Sequence, residues 1–136
     1  MGQIRDLMSS KPATCEPSAT VLEVAKRMAQ EDVGPIPVVE GERLVGIVTD
    51  RDIVLRVVAE GRDPMSTRIG EVASTKLETV SPDDDLGTAL QRMASAQVRR
   101  LPVVEGDRLV GIVAQADVAR RGEDRETGQV VEQISQ

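Results

Sequence analysis

The sequence contains no phenylalanine, tyrosine, tryptophan or histidine, and one cysteine among 136 residues. Without aromatic rings the core must be built from Val, Ile, Leu, Met and Ala, and a bound base must be held without a stacking partner. Without histidine, and with cysteine reduced to Cys15, a disulfide framework and the usual zinc ligand sets are excluded within one chain. General acid–base catalysis loses its commonest side chain. The opening MGQIRDLMSS has no apolar run of signal-peptide length, and no stretch approaches the ~18 apolar residues of a membrane span. These absences predict a soluble cytoplasmic protein with no membrane partner. Positive charge is also in deficit. A net charge of -6 argues against nucleic acid as a partner, while leaving room for a local basic spot that holds one phosphate.

What is present is a duplication. Ile36 to Val54 reads IPVVEGERLVGIVTDRDIV and Leu101 to Ala119 reads LPVVEGDRLVGIVAQADVA, 65 positions apart with twelve identities in nineteen. The register extends to Pro17 with Pro82, Thr14 with Thr79, Met28 with Met93 and Ile4 with Ile69, so one unit was copied without internal gaps. Cys15 aligns with Val80, which reads as a small buried hydrophobe rather than a reactive thiol.

Each copy starts with a short extended segment, Ala13 to Glu16 or Leu77 to Val80, followed by a proline at 17 or 82. A helix follows, with apolar stripes Val21, Val24, Ala25, Met28 and Leu86, Ala89, Leu90, Met93, and with Thr20–Glu23 spaced as a capping box. A hairpin turning at Gly41 or Gly106 leads to a second helix beginning near Asp50 or Gln115. The expected class is α+β, two β-α-β-β-α units: residues 1–62 and 63–121, with a polar tail at 122–136. Val130, Val131 and Ile134 give that tail the pattern of a short docking helix. Asp83, Asp84 and Asp85 read as acidic residues favoured at a helix start, not as a metal cluster.

Function has one conspicuous candidate locus. Gly46-Ile47-Val48-Thr49-Asp50-Arg51-Asp52 runs from a strand into a helix, where free backbone N–H groups attract anions and a carboxylate accepts from a ribose diol. The plain structural alternative is a capping box between Thr49 and Asp52. The second copy, Gly111 to Asp117, keeps the carboxylate but has Ala114 in place of the hydroxyl. A second asymmetry precedes the hairpins. Val98-Arg99-Arg100 stands opposite Val33-Gly34-Pro35, and arginine is the preferred fork for phosphate, although two arginines at a strand edge are also an ordinary solvated edge.

The doubled pattern of IPVVEG and LPVVEG, a glycine hairpin, then GIVTDRDI and GIVAQADV resembles the tandem cystathionine-beta-synthase (CBS) domain pair, or Bateman module, over Ile4 to Arg121. TDRDIV, Asp63-Pro64 and VRRLPV with RLVGIV are similar to stand-alone bacterial two-CBS proteins of the hypoxic-response type. The resemblance implies two units packed about a pseudo-two-fold axis, a homodimer, and clefts that take adenosine-type ligands: AMP, ADP, ATP or S-adenosylmethionine. It implies Asp52 on the ribose, Thr49 near ribose or phosphate, and Ile47 against the base. Leu77, Glu78, Val98, Arg99 and Arg100 would form the facing wall. A second, weaker cleft would have Ile112, Asp117, Gly34 and Pro35. No cofactor is required, although magnesium on a bound polyphosphate is compatible with Asp50 and Asp52.

Three functional classes are thereby set against one another. A ligand-sensing regulatory module signalling to an unknown protein target leads, a ligand-independent homodimeric interaction protein of the stress-response type follows, and an enzyme comes last. No nucleophile is paired with a base, and no convincing metal set is visible.

Overall fold

The computed structural model describes residues 2–120; the tail expected at 122–136 lies outside the described residues. Two compact units emerge, and neither is a continuous stretch of chain. One gathers residues 11–77 with 104–110, and the other gathers 2–10, 78–103 and 111–120.

In the first unit, helix α1 spans Val21–Glu31. Thr20 caps it by accepting from the Glu23 N–H at 3.2 Å, so one half of the expected capping box forms. The next two donors are closed by the loop that follows the first repeat: Val21 N–H reaches Thr67 O and Leu22 N–H reaches Pro64 O, each at 2.9 Å. Asp32 ends the helix in the left-handed region at φ 54°, which a short polar side chain tolerates. Val21, Val24 and Met28 are buried as the 3.6-residue stripe requires, against Ile36, Val38, Val48, Ile69 and Val72.

Strands β1 (Pro35–Glu40) and β2 (Arg43–Thr49) form an antiparallel hairpin in register Ile36↔Val48 and Val38↔Gly46. A bulge at Val38/Val39 breaks the ladder. Gly41 turns it at φ 63°. The leading segment contributes a single parallel bridge, Cys15 with Val38, rather than a full strand. Cys15 is 8% exposed, and loss of solvation pushes its thiol up to about 11 despite the opposing influence of Arg27.

In the second unit, helix α3 (Leu86–Ala96) is capped by Asp85, whose carboxylate accepts from Thr88 N–H at 2.8 Å. Ala89 and Met93 are buried beneath it. Asp84 accepts from Ser81 N–H and Asp83 pairs with Arg5, so the three aspartates have separate structural partners. No group of three or more His, Cys, Asp or Glu suited to a metal occurs among the described residues. Ile4 is fully buried in this unit, with its N–H on Asp84 O. Its repeat equivalent Ile69, also fully buried, sends its N–H to Ala19 O in the first unit.

Strands β3 (Arg100–Glu105) and β4 (Arg108–Ala114) form the second hairpin. Its tip belongs to the first unit, where Arg43 stands opposite Arg108, Leu44 N–H reaches Asp107 O and Leu109 N–H reaches Glu42 O, both at 2.9 Å. Each of the two facing arginines has a carboxylate of its own, Glu40 at 3.8 Å and Glu105 at 3.3 Å. No helix of the described residues is long and apolar enough to cross a membrane.

Candidate functional site

The G-I-V segment of each repeat is an edge held by backbone. Ile47 and Ser74 exchange both hydrogen bonds at 2.9 Å, and their repeat equivalents Ile112 and Ser9, 65 positions after and before them, do the same at 3.0 and 2.8 Å. A glycine before each isoleucine permits this approach. A Cβ built on Gly46 would lie 3.0 Å from Ser74 O, and one on Gly111 would lie 2.7 Å from Ser9 O. Ile47 therefore has its N–H taken and its carbonyl engaged by Ser74, and its half-buried side chain offers apolar surface.

Immediately after β2, helix α2 covers only Asp50–Ile53 and widens into a π-helical stretch at Val54–Val58. The capping box is complete. Asp52 N–H donates to Thr49 Oγ1 at 3.0 Å, and Thr49 N–H donates to Asp52 Oδ2 at 2.9 Å. Asp50 N–H goes to Gly34 O at 3.1 Å and Arg51 N–H to Asp50 Oδ1 at 2.9 Å. This corrects the expectation of free N–H groups for an anion: the donors at positions 49 to 52 are each taken by the protein itself. What remains is directional. Asp52 keeps Oδ1 as an acceptor, 3.9 Å from Arg56 Nε, with its side chain 20% exposed. Thr49, whose oxygen accepts from Asp52, still has a hydroxyl proton to donate.

Ile47, Thr49, Asp52 and Leu77 fall in one compact unit, and Glu78, Val98, Arg99 and Arg100 in the other. Leu77 is half-buried and Glu78 exposed. Val98 is 40% exposed and Arg99 is exposed, whereas Arg100, the first residue of β3, is half-buried. Arg99 also has a structural task, since its carbonyl accepts from Gln115 N–H at 2.7 Å, the counterpart of Gly34 with Asp50. A Cβ on Gly34 would meet Asp50 Oδ1 at 3.1 Å, a contact that a small shift of the exposed Asp50 side chain would relieve. Pro35 opens β1 beside it. In the second copy Ile112 is half-buried, and Asp117, 42% exposed, faces Arg120 at 3.4 Å. Ala114 provides no hydroxyl to fix it.

Sequence reasoning missed Ser74 and Arg56. Ser74 pairs with Ile47 across a sequence separation no local pattern announces, and Arg56 donates through Nη1 to Val72 O at 2.9 Å beside Asp52. Four residues after Asp52 on a helix, Arg56 was open to a simple i, i+4 search.

Two sequence repeats, each with a hairpin and a G-I-V edge closed by a distant serine segment, define a tandem pair of like units. The CBS domain family matches residues 4–59 and 69–124, and the chain belongs to that family. A CBS domain-containing protein of Bacillus subtilis, YhcV, is 48% identical over 119 residues, covering 88% of this chain and 84% of its own. Hypoxic response protein 1 of Mycobacterium tuberculosis is 37% identical over 121 residues, 88% of this chain and 85% of that protein. The crystal structure of that protein type with two coordinated zinc ions superposes with a TM-score of 0.81, 37% identity, and coverage of 89% and 99%. The CBS domain pair of protein MJ0100, in complex with 5′-methylthioadenosine and S-adenosyl-L-methionine, superposes at TM-score 0.81 with 25% identity, covering 92% and 98%. CBS pairs are regulatory modules rather than catalytic ones. The zinc of the hypoxic-response structure does not fit this chain's donors, which include no histidine and one buried thiol of raised pKa.

Proposed function

We propose that the protein is a regulatory module that binds an adenosine-type ligand, AMP, ADP, ATP or S-adenosylmethionine, held jointly by its two repeats, and signals to a partner protein. One observation carries the reading: Asp52 is fixed through Oδ2 by the Thr49 N–H while Oδ1 stays an open acceptor, the arrangement a ribose diol needs. Ile47 supplies apolar surface to the base, and Thr49 a donor to ribose or phosphate. The resemblance to CBS pairs adds Leu77, Glu78 and Val98 as further ligand-contacting residues, with Arg99 and Arg100 as phosphate forks. The ligands seen with the MJ0100 pair support the chemical class. The second copy, with Ala114 and an Asp117 engaged by Arg120, binds weakly or not at all. Magnesium enters only as the companion of a bound polyphosphate.

The competing reading is a ligand-independent homodimeric interaction protein. It is favoured by Val54, Leu55 and Val58, 54%, 48% and 66% exposed on one helical stretch, an apolar surface suited to a second copy. Calorimetry with AMP, ADP, ATP, S-adenosylmethionine and NAD, using Asp52→Ala and Arg100→Ala as controls, separates the two. Binding lost in both variants supports sensing. A wild type that binds none of them at millimolar concentration leaves the interaction protein.

A further inference from the structure

We infer that Arg56 is a positioning residue that joins the ribose-binding carboxylate to the chain segment beside it, an inference that rests on the adenosine reading of Asp52. Asp52 Oδ2 is occupied by Thr49 N–H, and Oδ1 lies 3.9 Å from Arg56 Nε. Through Nη1 the same guanidinium donates to Val72 O at 2.9 Å. Two residues further on, Ser74 is locked to Ile47 by two backbone hydrogen bonds. Asp52, Arg56, Val72, Ser74 and Ile47 are thus one contiguous set of contacts within one compact unit.

The arrangement depends on chemistry particular to arginine. Its planar fork presents donors in two directions at once, so one group serves both the carboxylate and the carbonyl, whereas a lysine ammonium is a single point charge. Arg56 also lies in the π-helical stretch, where Ala59 N–H reaches back five residues to Val54 O. A diol that donates to Asp52 Oδ1 competes with Arg56 Nε for that oxygen, and the guanidinium, held at its other end by the Val72 carbonyl, passes the displacement to the 72–77 segment. The coupling extends only as far as the ligand distinguishes the two arrangements.

The protein contains its own control. Arg62 ties the same segment through Glu71 Oε1 at 2.6 Å, and no contact of Arg62 with Asp52 occurs among the described residues. AMP, ADP, ATP and S-adenosylmethionine are titrated calorimetrically into the full chain as wild type, Arg56→Gln, Arg56→Lys and Arg62→Gln, with hydrogen exchange at the Ile47 and Ser74 amides followed in parallel. Both Arg56 variants should weaken the tightest ligand by about fivefold to tenfold, while Arg62→Gln stays within about twofold. Ligand should slow exchange at Ile47 and Ser74 in the wild type and not in Arg56→Gln. Undiminished affinity in Arg56→Gln, an equal loss in Arg62→Gln, or full rescue by Arg56→Lys overturns the inference and leaves the ligand reading standing. A wild type that binds none of the four overturns the ligand reading itself and removes the basis of this one.

Discussion

Asp52 closes a capping box and is also the proposed ribose acceptor, two readings that looked like alternatives in the sequence. The capping box closes the helix start, and in doing so it fixes the carboxylate through Oδ2 while Oδ1 faces Arg56 Nε at 3.9 Å. The Thr49–Asp52 spacing was legible because capping is local. The loss of free N–H groups was not, because the acceptor for Asp50 is the carbonyl of Gly34, sixteen residues earlier on another element. Thr49→Ala should lower stability by about 1 kcal/mol, read by thermal unfolding followed in the far ultraviolet, and Ala114→Thr should raise it by a few tenths to about 1 kcal/mol by supplying the missing hydroxyl. Opposite signs are the expected outcome; a loss in both would mean that the second helix start cannot accept a cap. Cys15 belongs to the same scale. Its buried thiol, pushed up to about 11, should resist iodoacetamide at pH 8 in the native protein and react at an ordinary rate in urea.

Among the elements, the apolar stripes exposed α1 and α3, and the glycine turns between apolar runs exposed both hairpins, in which β2 alternates while β1 is buried continuously from Ile36 to Val39. The pattern did not disclose that the leading segments are reduced to single bridges, Cys15 with Val38 and Val80 with Val103, nor that the helix after Asp52 widens at Val54. Those features are decided by contacts made far along the chain. Gly46 and Gly111 show why: their need is set by Ser74 and Ser9, not by a turn of their own. Gly111→Ala should cost about 1–3 kcal/mol, and more than Gly46→Ala, because its Cβ meets a backbone oxygen at 2.7 Å rather than 3.0 Å. Urea unfolding of the two variants ranks them.

Acid stability is also set by the elements. The Thr88 N–H, then its hydroxyl, hold Asp85 below the usual carboxylate range, and the Arg68 N–H, then the Arg62 guanidinium, do the same for Glu71. Both groups bind protons at higher pH in the unfolded chain than in the folded one. Their stabilisation is complete above the ordinary carboxylate value of about 4 and is lost as pH falls through the depressed folded values. Both are solvent-exposed, so the effect is small. Asp85→Asn with Glu71→Gln should flatten the fall of the thermal midpoint below about pH 4; an unchanged slope would assign acid sensitivity to other carboxylates.

For the whole molecule, the duplication supplies two CBS repeats, and the proposed difference between their sites rests on the positions where the copies diverge. Thr49 against Ala114 and Arg99–Arg100 against Gly34–Pro35 were visible in the chain, but the exchange of segments was not. Ile4 packs with the second repeat's helix start and Ile69 with the first's, which no repeat alignment displays. The absence of tryptophan and tyrosine makes the protein nearly transparent at 280 nm, so a nucleotide carried through purification would appear as a distinct 260 nm band.

The most direct measurement is calorimetric titration of the wild type and Asp52→Ala with AMP, ADP, ATP and S-adenosylmethionine. The account predicts saturable binding of at least one ligand by the wild type and a loss of about tenfold or more, about 1.4 kcal/mol, in the variant. Equal affinity in the two proteins, or no binding by the wild type at millimolar ligand, would contradict it.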